Sequence, residues 1–143
     1  MTLHVEKVFA KFRDITESIE RLKAFKNVSS EAFLSDRDQQ DIASFRLIVA
    51  TEAAIDLCLH VSAKRLGKVA EEYAACFQLL ADHGLVDKAL ASRLARMARF
   101  RNLLVHQYWE IDYARLYEII TGPDLEDLQA FVAQISRLME DQR

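Results

Sequence analysis

The chain predicts an all-α fold, an up-down bundle of five to six helices in a single domain over residues 1–143. Three observations carry this expectation. Three glycines and one proline in the whole chain leave little turn chemistry for hairpins. The β-branched residues stand singly among Ala, Leu, Glu, Arg and Lys, which are good helix formers. Apolar residues recur at alternating three- and four-residue steps, the period of a helix with one buried face. The length suits one domain, and a chain of 51% hydrophobic residues can bury roughly two-thirds of its unfolded surface.

The first helix is expected from about His4 to Lys26, with Val5, Val8, Phe12, Ile15, Ile19 and Leu22 on its seam. Asn27-Val28-Ser29-Ser30 breaks it, and Glu31–Leu34 reads as a short turn or helical stub. Ser35 or Asp36 can cap a long second helix that runs to Gly67. The third covers about Val69 to His83, with Gly84 supplying the left-handed residue that ends it. The fourth runs from near Val86 through an arginine-rich stretch to His106. Asp112 can cap a fifth, which stops at Thr121-Gly122-Pro123, and Asp124 can cap a sixth. Every connection is short, which favours antiparallel neighbours.

Several classes of protein are excluded on the same grounds. No apolar stretch approaches the ~20 residues that span a bilayer. His4, Glu6 and Lys7 near the start leave no apolar signal-peptide core. Cys58 and Cys76 lie inside apolar-periodic segments and read as reduced core thiols, so a cytoplasmic protein is expected. Glu52, Asp56 and His60 form a stripe on the second helix, but one stripe supplies too few ligands for a metal. No metal site and no cofactor is expected.

The informative segment lies between Lys88 and Trp109. It holds Lys88, Arg93, Arg96, Arg99 and Arg101 and no acid, in a chain whose net charge is −3. A one-sign stretch on one helix suits either an anionic partner such as phosphate or pairing with acidic neighbours. Leu90, Leu94, Met97, Phe100, Leu104 and Val105 share one face, with Arg93, Arg96 and Arg99 beside it. Arg101 projects into the middle of that apolar face. A permanently charged side chain there must snorkel, pair with a buried acid, or line a cleft formed with another subunit. His106 stands about 140° round the helix from Arg101, so the two meet only if the helix ends near His106 or a second copy joins them. A lone histidine near a helix C-terminus is otherwise a capping residue.

Read whole, Arg101-Asn102-Leu103-Leu104-Val105-His106-Gln107-Tyr108 resembles the R-x-x-x-x-H signature of the HEPN superfamily. The extension to His-x-Tyr is similar to its HepT toxin branch, as are the Ile111-Asp112 step, Thr51-Glu52-Ala53-Ala54-Ile55-Asp56 and Tyr73-x-x-x-Phe77-x-x-Leu80. The resemblance spans nearly the full chain, most clearly from the second helix onward. It implies a homodimer whose motif-bearing helices face a shared cleft. It also implies the toxin of a type VII-like toxin–antitoxin pair, a metal-independent endoribonuclease with Arg101 and His106 as catalytic residues. A minimal nucleotidyltransferase antitoxin would be the partner, silencing cleavage by placing AMP on Tyr108.

Around that centre Arg99 and Arg96 are expected to contact the phosphate or RNA, and Asn102 to bind the phosphate or orient His106. Asp56 or Glu52 is expected to answer the charge of Arg101. Trp109, Tyr108, Tyr113 and Tyr117 either stack on bases or pack between the fourth and fifth helices. Two other readings remain open at this stage: a non-catalytic HEPN module that binds a nucleotide or docks a nucleotidyltransferase, and a purely structural bundle with a buried arginine.

Overall fold

The computed structural model describes residues 2–141, the side chain of Tyr108 excepted. It contains, among these residues, seven α-helices: α1 (Val5–Lys23), α2 (Ser30–Leu34), α3 (Arg37–Val61), α4 (Tyr73–Asp82), α5 (Lys88–His106), α6 (Tyr113–Thr121) and α7 (Asp124–Asp141). The expected stub is the extra helix. Ser29 accepts the Ala32 N–H at 3.1 Å, and that cap is enough to close one turn, α2.

Caps set the other boundaries. Asp36 accepts from Gln39 N–H at 3.2 Å, Asp87 from Leu90 N–H at 3.0 Å and Asp112 from Arg115 N–H at 3.1 Å. Asp124 is not a cap: it is the first residue of α7, and the Pro123 carbonyl accepts the Glu126 N–H instead. α1 stops at Lys23, where a 3₁₀ turn over Ala24–Asn27 replaces its expected last turn. α3 passes into a π turn over Ser62–Leu66, and Gly67, at φ +63°, reverses the chain. This reversal delays α4 to Tyr73, four residues after its expected start, and leaves Lys68–Glu72 as a connection beside the α4 N-terminus.

α3 is the axis of the bundle and packs against each of the other six helices. Small residues let neighbours approach it closely: Ala43, Ala50, Ala53 and Ala54 are all buried. α1 lies along α3, and α4 lies along α5. Phe77 of α4 and Phe131 of α7 close the core edge to face, ring centres 5.4 Å apart. Cys58 and Cys76 are free and buried, and burial pushes the Cys58 thiol up, so it stays protonated. Among the described residues no helix is long and apolar enough to cross a membrane.

One buried group makes the fold pH-sensitive. His60, near the end of α3, accepts the backbone N–H of His4 through Nε2 at 3.0 Å, tying the start of α1 to α3. Burial, and then the charges of Lys7 and Lys64, hold its pKa below the ordinary histidine value. The unfolded chain therefore takes up a proton first as pH falls. His60 is neutral in both states above about pH 6.5, and stability drains away as pH drops through the unfolded and then the folded value. Thermal melts should show the wild type losing more stability than His60→Gln between about pH 7.5 and pH 5. Equal losses would remove His60 from the account.

Candidate active site

The C-terminal half of α5 and the N-terminus of α4 enclose an open groove of about 720 Å3. Arg99, Arg101, Asn102 and His106 line one wall; Glu71, Glu72, Tyr73 and Ala74 line the other. Arg101 and His106 thus share a groove within one chain, although helix periodicity alone would part them. Two features reconcile this. The helix ends at His106, where Gln107 N–H closes the last turn on the Leu103 carbonyl, so His106 stands free at the tip. Arg101, for its part, reaches across on a long side chain.

Arg101 is the anchored member, its side chain 14% exposed. Its Nη2 donates to a Glu52 carboxylate oxygen from α3, and its Nη1 donates to Asn102 Oδ1 at 2.9 Å. The guanidinium also lies over the Tyr73 ring, 5.9 Å from its centre. The Nε–H is buried, without a partner among the described residues. The charge is oriented by an acid, an amide and a ring, yet still borders the groove. An arginine held this way presents a fixed fork of donors to an oxyanion and cannot lose its charge. His106, by contrast, is exposed, and among the described residues nothing holds it but its place at the helix end.

The remaining expected residues separate. Asp56 does not serve Arg101: it binds Lys11 Nζ at 2.9 Å, and this contact raises the Lys11 pKa. Glu52, Asp56 and His60 each face a different partner, so the stripe they form in sequence is dispersed. Asn102 was expected at His106 or the phosphate, but its oxygen is taken by Arg101. Arg99 borders the groove, whereas Arg96 lies one turn away in the adjoining cleft. Tyr117 is structural: it donates to the Val28 carbonyl at 2.5 Å and packs at a tilt against the Phe33 ring. Trp109 is 67% exposed, and the side chain of Tyr108 lies outside the described residues.

Sequence reasoning missed Glu71, Glu72 and Tyr73 as groove residues. They lie 33 to 35 residues before His106, in and after an irregular connection with no periodic pattern to place it. Only the Tyr73–Phe77–Leu80 spacing pointed toward this wall.

Residues 15–135 match the family model described as Ribonuclease HepT-like. The chain is similar to the "tRNA nuclease HepT" of Aphanizomenon flos-aquae, 32% identical over 119 residues, covering 82% of this chain and 80% of that protein. It is similar also to the "mRNA nuclease HepT" of Shewanella oneidensis, 26% identical over 125 residues, covering 87% of this chain and 92% of that one. A solved structure of a tri-AMPylated Shewanella oneidensis HEPN toxin in complex with an MNT antitoxin superposes with a TM-score of 0.84, at 26% identity, over 92% of this chain and 97% of that one.

Proposed function

This chain belongs to the HepT-like ribonuclease family, and from that premise we propose that it is a toxin endoribonuclease that cleaves RNA without a metal ion. The observation that carries the reading is the meeting of a fixed guanidinium, Arg101, and a free imidazole, His106, on one open groove. Two relatives named as nucleases of tRNA and of mRNA support it.

Two copies of this pair supply the groups that the chemistry needs. The ribose 2′-oxygen attacks phosphorus as its proton passes to the His106 imidazole, and the bond from phosphorus to the 5′-oxygen breaks. Arg101 holds the non-bridging oxygens, whose negative charge grows at the transition state. The leaving 5′-oxygen takes a proton from a second imidazolium. A second copy of the chain supplies that group, with each copy giving one arginine and one histidine to a composite cleft. The product is a 2′,3′-cyclic phosphate or its hydrolysis product. Asn102 keeps Arg101 aligned, while Arg99 and Arg96 hold flanking phosphates.

The partner is a minimal nucleotidyltransferase antitoxin, as the solved complex of the Shewanella toxin suggests. Tyr108 opens the short 3₁₀ turn Tyr108–Glu110, two residues past His106. AMP joined to its oxygen would bring a phosphate that competes with RNA for the arginines, and a nucleoside that obstructs the groove.

One experiment tests the whole reading. Purified protein in excess EDTA is expected to cut cellular RNA, leaving cyclic-phosphate ends. After incubation with the transferase, Mg²⁺ and ATP, before EDTA is added, cutting should fall in step with an AMP mass increment on the Tyr108 peptide. RNA that is bound but left intact would make the protein a non-catalytic binding module. Silencing with Tyr108 unmodified would remove the regulatory part.

A further inference from the structure

The groove at Arg101 and His106 continues along the molecule. A second cleft of about 480 Å3 extends it between α4 and α5, and Ala74 and Arg99 border both. From there the cleft passes Gln78 on α4 and Ala95 on α5 and reaches Ser92. The length of α5 from Ser92 to His106 is about 21 Å, enough for a few nucleotides of extended strand. Ala74 and Ala95 are buried and bring no bulk to the floor.

The charge along this path is one-sided. Arg96 and Arg99 are exposed on successive turns, and among the described residues neither forms an ion pair. Asp124 of α7 shares a separate cleft with Arg96 and feels its charge, but among the described residues the two form no ion pair. The next arginine, Arg93, is neutralised by Asp127 at 3.0 Å, so the free positive charge stops there. Facing the catalytic pair, the other wall of the groove carries Glu71 and Glu72, both exposed.

We infer that one flank of the substrate, an extended single strand of RNA, lies in the α4–α5 cleft with its phosphates on Arg99 and Arg96. The inference rests on the ribonuclease reading and adds the strand's path. Phosphates follow unpaired guanidinium groups and avoid carboxylates, so the strand leaves toward Arg93 and not past Glu71 and Glu72. Neighbouring helices have axes only about 8–10 Å apart, so the cleft between them admits a single strand and rejects a duplex. Selection for unpaired RNA is therefore built into the cleft.

The test is fluorescence anisotropy of a labelled, unstructured RNA of about twelve nucleotides on full-length protein carrying His106→Ala, which leaves the probe uncut. Adding Arg96→Gln or Arg99→Gln should weaken binding about tenfold each. Each should also flatten the slope of log Kd against log salt by about 0.7. Arg137→Gln, an exposed change on α7 away from both clefts, serves as the charge control and should do neither. A hairpin of the same length should bind at least about tenfold more weakly than the single strand. Unchanged affinity in both arginine variants, or equal binding of the hairpin, overturns the path. Cleavage by the protein with native His106 is scored separately: if it cuts RNA while both variants bind normally, the path fails and the ribonuclease reading stands. If it cuts no RNA, the reading itself fails.

Discussion

His106→Ala is expected to lower RNA cleavage by about two to four orders of magnitude while leaving the melting temperature near that of the parent. The asymmetry follows from position. His106 is exposed at the tip of α5, where the backbone is closed by Gln107 and Leu103 without help from the imidazole. On the proposed mechanism, removing it takes away a proton carrier and almost no packing. His106→Gln sharpens the result, since an amide hydrogen-bonds but does not relay a proton, and it should be as inactive as alanine. Single-turnover cleavage at saturating enzyme, beside a thermal melt, reads both quantities. Cleavage within tenfold of wild type in either variant would mean that another group moves the proton.

Arg101 carries the second large effect, and its signature is coupling. Arg101→Ala should cost about two to three orders of magnitude in cleavage, the usual loss when a donor to developing oxyanion charge is removed. Arg101→Lys should recover little, because an ammonium cannot hold Glu52 and Asn102 together and still present a planar fork. Glu52→Ala removes the acid that orients the guanidinium, and a loss of about tenfold or more is expected. Glu52 acts only through Arg101, so the double variant should be no worse than Arg101→Ala alone. Additive losses from the two changes would show that Glu52 has a task of its own. Restoration of cleavage by Glu52→Gln, which keeps an oxygen acceptor, would separate alignment from charge.

The helices were legible in the sequence because local signals agree. The Asp36 and Asp112 caps, the Gly67 and Gly84 stops and the apolar periods all lie within a few residues of the boundaries they set. The misplaced edges lie where local rules are ambiguous. At Asp124 proline and aspartate compete for the cap, and on either side of Gly67 a π turn and an irregular connection consume residues that look helical. The Arg–His motif singled out the C-terminal end of α5 through its family resemblance, not through geometry, since its spacing argued against convergence.

Sequence alone determined that the chain is helical, where its helices break, and that a permanent positive charge stands among apolar neighbours on α5. It could not say which acid answers that charge, because Glu52 and Asp56 are one helical turn apart and equally placed by pattern. Tertiary packing decided for Glu52 by setting α3 against α5 at that level, leaving Asp56 turned toward Lys11 of α1. It also brought Tyr73 and the two glutamates opposite Arg101 and His106. Such contacts join residues far apart along the chain, and no local period or cap carries information about them. They exist only once the core has fixed how the helices lie side by side.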